Sequence, residues 1–279
     1  LQIKLDGEPL ALYMLAMFDA KNDQLKWTDD GRTAYLLRYD RYFKHAQAIL
    51  IDAASATARI AAEHHHSTFG FTEYFGLASQ EIFNDSGLLY LPRRRELIWL
   101  LEADAGCAAL HLFDADTGAH KRKLTSGDYT VRRIRYYDAE TSTLYFSASG
   151  REAGVDPYYQ MLYSLPLESG EPRCLTPEPA EHLSRFCPQG GYFVDTYSTI
   201  NTLPVTRVCA LDGTVICPLA TADIRLIEAQ GYIAPEPFQV LSRDGVTPIY
   251  GLMIKPYGFD PGKKYPVVDF IYGGSQRIN

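Results

Sequence analysis

A mainly β protein built from repeated four-stranded units is what this sequence predicts, followed by the first strands of an α/β domain. Three observations carry the prediction. Short apolar segments recur in groups, each group closing on a polar or glycine-bearing turn. Aromatic residues are abundant, with 20 Tyr and 13 Phe against 4 Met, and aromatic side chains suit a pleated sheet surface. Near the end, the run 265–272 is almost continuously apolar, as befits a strand buried on both faces.

The groups can be taken in order. The first holds Thr33–Tyr39, Gln47–Asp52 and Thr57–Ala62; the second Leu88–Leu91, Glu96–Leu101, Ala108–Phe113 and His120–Thr125. The third holds Arg132–Tyr136, Thr143–Ala148, Gln160–Pro166 and Pro172–Leu175; the fourth Leu183–Cys187, Tyr192–Ser198, Thr206–Ala210 and Val215–Leu219. Their turns, at 52–55, 114–118, 168–170 and 212–213, are rich in Asp, Ser and Gly. Asp bonds back to its own backbone and Gly takes positive φ without a Cβ clash. The turns fall roughly 45 to 60 residues apart with about four strands per unit, the period of a β-propeller blade. An irregular β-sandwich would explain the strand content but not the recurring group of four. About four blades are present, and Pro9–Phe18 is expected to be the last strand of a preceding blade.

After Leu219 the pattern changes. Ala222–Gln230 reads as a short helix, with Thr221 as N-cap and Gly231 as its stop. The linker Ala234–Pro237 follows, where proline blocks regular structure. Then come Phe238–Ser242, the turn Arg243–Gly245, Pro248–Lys255, a loop from Pro256 to Lys264, and the buried strand Tyr265–Tyr272. The domain reading is therefore a partial propeller over 1–234 and the start of an α/β domain over 235–279.

Composition excludes several classes. Apolar residues make up 46% and charged residues 22%, the balance of a globular protein and not of a disordered one. A net charge of −7 disfavours a nucleic-acid partner held by its phosphates. The longest apolar run, Leu10–Phe18, is nine residues against the ~20 that span a bilayer, so no membrane segment is expected. The five cysteines form no CxxC pair and no zinc spacing, which favours buried free thiols. Cys209 and Cys217 flank a short turn and face each other across it only in one register, so their pairing stays open.

Other motifs carry bland readings beside sharper ones. His64-His65-His66 has metal-ligand chemistry, but consecutive residues of an extended segment point to alternate faces, and a polar connector is expected. No metal and no cofactor is expected. Arg93-Arg94-Arg95 offers an anion patch, or a solvated hairpin turn. Asp156-Pro157-Tyr158-Tyr159 fits a peptide-facing surface and a proline-set turn about equally. Asp269, inside the apolar run, is expected to face a bonding partner, since an unpaired buried carboxylate is costly.

The stretch Phe259-Asp260-Pro261-Gly262-Lys263-Lys264-Tyr265-Pro266-Val267-Val268-Asp269-Phe270-Ile271-Tyr272-Gly273-Gly274 resembles the start of the hydrolase domain in the dipeptidyl peptidase IV branch of the prolyl oligopeptidase family. Gly150-Arg151-Glu152, Asp156 to Tyr163, and Gly190-Gly191 to Ser198 resemble blade segments of its bacterial members. The likeness runs from about Thr28 to Gly274. It implies a serine peptidase whose propeller covers an α/β-hydrolase domain and which releases N-terminal dipeptides, often after Pro or Ala. It further implies a peptide as partner, a homodimer of the whole protein, and export to the periplasm or cell surface.

By the same resemblance Tyr272, ending the first buried hydrolase strand, donates its hydroxyl to the oxyanion hole. On residues alone it would be a tyrosine capping a strand. No G-x-S-x-G elbow occurs; Gly273-Gly274-Ser275-Gln276 lacks the trailing glycine. No adjacent Glu-Glu pair, the family's anchor for the substrate amino group, occurs either. The chain opens on Leu1 and reads as a portion of something longer, with the catalytic Ser, Asp and His elsewhere. Residues 1–279 alone are expected to be inactive.

Overall fold

Several of the hairpins form because an aspartate at a strand end holds the next residues in a turn. Asp52 Oδ1 accepts the Ser55 N–H at 2.7 Å; Asp114 Oδ1 accepts from Asp116 N–H at 3.0 Å and Thr117 N–H at 2.9 Å. Asp138, Asp212 and Asp244 repeat the arrangement. At the Asp114 turn a glycine is required: Gly118 has φ +72°, and a Cβ there would stand 3.0 Å from the Ala61 carbonyl oxygen.

The computed structural model describes residues 4–5, 8–9, 25–40, 42, 44–67, 87–102, 106–168 and 170–271. They fall into two compact units, Leu1–Pro177 and Glu178–Gly274. Three sheets make up the first unit. The first contains β1 (Lys4–Leu5), β2 (Glu8–Pro9), β3 (Lys26–Trp27), β4 (Thr33–Tyr39), β5 (His45–Asp52) and β6 (Thr57–His65), in the order β2-β1-β6-β5-β4-β3. Its β3–β6 portion is an antiparallel meander of four, to which β1 adds in parallel. The second is β7 (Leu88–Leu91), β8 (Glu96–Glu102), β9 (Ala108–Asp114) and β10 (His120–Lys123). The third is β11 (Thr130–Asp138), β12 (Thr143–Ser149), β13 (Gln160–Pro166) and β14 (Arg173–Cys174).

In the second unit, β15 (Glu181–Phe186), β16 (Tyr192–Ser198), β17 (Val205–Ala210) and β18 (Val215–Thr221) form the fourth meander. A single helical turn, α1 (Arg225–Glu228), and the hairpin of β19 (Glu236–Leu241) with β20 (Pro248–Met253) follow. The protein is mainly β, its meanders of four being the blade units of a partial propeller. No helix among the described residues is long and apolar enough to cross a membrane.

The core of the first unit lies between sheets. Leu97, Trp99 and Leu101 of β8 pack with Tyr35, Leu37, Ala48 and Leu50 of the first sheet. The alternate residues Ile98 and Leu100 pack with Leu144, Phe146, Met161 and Tyr163 of the third. β8 is thus sandwiched, which is why its sequence is apolar without alternation. A repeat not visible in the apolar pattern is the pair Leu124-Thr125 and Leu175-Thr176. Each threonine Oγ1 accepts, at 2.9 Å, the N–H of Leu110 or Leu162 in the strand beside it.

Three expectations are corrected. Thr221 does not cap the helix: it pairs with Val205 as the last residue of β18, and Ile224 takes the N-cap position without a side-chain bond. Asp223 Oδ1 instead accepts the Arg225 N–H at 3.0 Å, while Gly231, with φ +84°, ends the segment as expected. Residues 265–271 form no strand; Val267 is 91% and Phe270 86% exposed. A buried strand needs neighbours on both edges and cover on both faces, and no described strand lies beside this run. Asp269 is accordingly exposed and needs no partner. Cys209 and Cys217 are free thiols: the ladder pairs Cys217 with Val208 and Cys209 with Val215, across a bulge, leaving Cys209 buried and Cys217 exposed. Of Pro9–Phe18, only Pro9 lies within the described residues, in β2.

Candidate functional site

Tyr272 lies outside the described residues, so the chemistry begins from the ionisable clusters on the sheets. Three of these fall where sequence motifs pointed. Arg94 Nε donates to Glu96 Oε2 at 2.6 Å and its Nη1 to Glu168 at 2.7 Å; Arg95 grips Asp116 at 2.6 Å. The basic run is mostly consumed in ion pairs and is not an anion patch. Burial raises the Glu96 carboxyl, but hydrogen bonds from Lys121 and Arg94 outweigh it and hold the group below the usual glutamate range. Asp156 accepts the Tyr158 N–H at 2.9 Å, making the proline-set turn. Nearby, Arg151 lies 5.2 Å over the Tyr163 ring and bonds Glu152 at 2.9 Å, pinning the third sheet.

A Ser, a His and an Asp do converge in the fourth meander. His182 of β15 reaches diagonally to Asp195 of β16, which the register pairs with Ser184, and its Nδ1 is 3.0 Å from Asp195 Oδ2. The Ser184 hydroxyl, however, donates to Asp195 Oδ1 at 3.2 Å and not to the imidazole. His182 Nε2 meets the Glu178 carbonyl at 3.0 Å. Arg207 completes the cluster, reaching Asp195 at 3.2 Å and both Glu178 oxygens, with its guanidinium 4.8 Å over the Tyr197 ring. The Arg207 bonds hold the Glu178 carboxyl below its usual range. His182 and Asp195 are wholly buried. With both imidazole nitrogens taken and no path for substrate, this arrangement locks a sheet and performs no nucleophilic chemistry.

The three consecutive histidines do alternate, as their spacing predicts. His64 packs edge-on to His66, centroids 4.3 Å apart, and lies 6.4 Å from Trp99. His65 turns to the opposite face and stacks on His45 of the neighbouring strand, centroids 4.1 Å apart and rings 8° from parallel. Glu63, two residues before His65, shares that face, and His45 Nε2 is 2.6 Å from its Oε2. Hydrogen bonds from Gln47 and His45 hold the Glu63 carboxyl below its usual range. Sequence reasoning missed this trio because His45 lies on another strand; only the register His45↔His65 joins them.

The comparisons with known proteins bear on the fold that carries these clusters. The family model for the dipeptidyl peptidase IV (DPP IV) N-terminal region matches residues 17–204. Mouse dipeptidyl peptidase 8 is 29% identical over 167 residues, covering 55% of this chain and 18% of that protein. A probable dipeptidyl peptidase 4 of Emericella nidulans is 23% identical over 265 residues, covering 90% of this chain and 32% of that one. The chain thus spans a third or less of these relatives' length. The crystal structure of Porphyromonas gingivalis dipeptidyl peptidase 4 shares the fold, with a TM-score of 0.67 at 18% identity over 87% of this chain and 32% of that one. A putative dipeptidyl aminopeptidase IV from Bacteroides ovatus does so at a TM-score of 0.62 and 21% identity, over 87% of this chain and 35% of that one. With its strand meanders and a family match over most of its length, the chain belongs to the dipeptidyl peptidase IV N-terminal region family.

Proposed function

We propose that this chain is the propeller portion, and the first hydrolase residues, of a longer dipeptidyl-peptidase-type serine exopeptidase. The observation that carries the reading is the family match over residues 17–204. In the whole protein the propeller restricts access, so that short or unstructured peptides reach the serine. The serine hydroxyl attacks the carbonyl of the second residue, Pro or Ala, its proton passes through the histidine to the leaving nitrogen, and the shortened peptide departs with that nitrogen as its new amino terminus. Water then releases the dipeptide from the acyl-enzyme. The Tyr272 hydroxyl donates to the oxyanion beside a backbone N–H, as a preorganised donor does where charge develops. Residues 1–279, having no nucleophile elbow, do not hydrolyse peptides by themselves.

The test uses the full-length protein and chromogenic dipeptides with Pro or Ala in second position. Tyr272→Phe is expected to lower kcat by about 10²–10³-fold with little change in KM, the loss of one oxyanion donor. Full-length protein that releases no dipeptide would make this a propeller that binds without cutting. Undiminished turnover in Tyr272→Phe would remove the oxyanion role from that tyrosine.

A further inference from the structure

The exposed end of the β5–β6 hairpin carries more metal-binding chemistry than a surface ion pair accounts for. One ring nitrogen each of His45 and His65 and a Glu63 carboxylate oxygen all lie within 4.8 Å of one another, partly exposed or exposed. Two imidazoles and one carboxylate are the ligand set that binds zinc and neighbouring divalent ions, leaving a position for water. Ligands 2.0–2.2 Å from one ion stand roughly 3–3.5 Å apart, so rotation of these exposed side chains about their own bonds closes the site.

The backbone prepares the geometry. His45 and His65 are direct cross-strand partners, which brings the two imidazoles together without a loop having to order; the rings turn out of their stack so that both in-plane lone pairs meet at one ion. Glu63 is opposite Gln47, whose Nε2 donates to its Oε2 at 3.2 Å. Gln47 Oε1 in turn accepts from Arg38 Nε at 2.8 Å. This chain of bonds orients the carboxylate from behind, as outer partners do at metal centres. An exposed His–Glu pair alone is worth about 0–1 kcal/mol and gives no reason for the second imidazole.

We propose that His45, Glu63 and His65 form a binding site for a divalent transition ion such as Zn²⁺, which ties the open ends of β5 and β6 together. Binding needs the Nε2 lone pair of His45 free, so the hydrogen between His45 and Glu63 gives way to the metal and the other ring nitrogen carries the N–H. His64 and His66, on the other face, take no part. The proposal is independent of the peptidase reading.

Calorimetric titration of the metal-free full chain with Zn²⁺ tests it, with Co²⁺ as a spectroscopic probe. One ion per chain is expected, with the intense visible bands of four-coordinate Co²⁺. His45→Gln, Glu63→Gln and His65→Gln should each weaken binding by about 100-fold or more, and Gln47→Ala by about 10–100-fold. His64→Gln should leave the affinity unchanged. Circular dichroism of each variant checks that the exposed substitutions leave the fold intact. Absence of saturable binding, binding that survives His45→Gln and His65→Gln, or binding abolished by His64→Gln would each overturn the assignment.

Discussion

The two units bury different things. In Leu1–Pro177 the interior is hydrocarbon and aromatic rings between sheets: Trp99, Phe146, Leu144 and Leu110 are fully buried. In Glu178–Gly274 the buried centre is largely ionic, with His182, Ser184, Asp195 and Arg207 around Phe193 and Cys209. Its β18 and β19 are exposed throughout, and Ile216 and Leu241 are left in water. Apolar packing is non-directional and tolerates small shifts, whereas a buried ionic cluster has to be satisfied bond by bond. The first unit therefore depends on volume, the fourth meander on the bonds that tie its ionic groups together.

Removing one member of the ionic cluster is the sharpest way to break that contrast. Asp195→Ala leaves Arg207 and His182 without their shared carboxylate and should cost about 3–5 kcal/mol. Urea unfolding, with amide exchange in β15–β17 to localise the loss, would measure it. A cost below about 1 kcal/mol would mean that water or Glu178 takes over the pairing and that the centre is not ionically locked.

A deletion in the apolar core should act through volume instead. Leu144→Ala, between the second and third sheets, should cost about 2–5 kcal/mol, and Leu144→Met less than about 1.5 kcal/mol. Equal losses from the two substitutions would show that shape and not volume governs this interface.

The smallest effect concerns Glu96, a carboxylate of the first unit paired with both Arg94 and Lys121. Glu96 is held below its ordinary value of 4.5, so the unfolded chain binds this proton more readily than the folded one. Its contribution is present above that value and disappears as pH falls through the lowered folded value. Glu96→Gln should therefore flatten the acid limb of stability below about pH 4.5 and leave its neutral-to-alkaline shape unaltered. An acid limb identical to that of the unsubstituted protein would show that other carboxylates carry it.

Much of the fold was legible because hairpins are local. Leu88–Leu91, Gln160–Pro166 and Tyr192–Ser198 are strands over the residues their apolar pattern predicts. The turns follow from aspartates that bond two and three residues ahead. The helix start was misread because Thr221 has both cap and strand chemistry, and the ladder to Val205 wins. Residues 265–271 were misread because an apolar run states a preference for burial, while burial itself depends on what lies alongside.

By itself the sequence determined three meanders of four and three strands of the first meander, whose short β3 it did not show, together with the turns that close them, the alternation of His64, His65 and His66, and the family resemblance. These rest on contacts within a few residues or on order along the chain. Tertiary structure alone decided that His45 stacks on His65, that Asp195 serves His182, Ser184 and Arg207 together, and that Cys209 and Cys217 part across a bulge. Strand register makes those choices. A slip of one residue turns every side chain to the opposite face, and no local propensity encodes which slip is avoided.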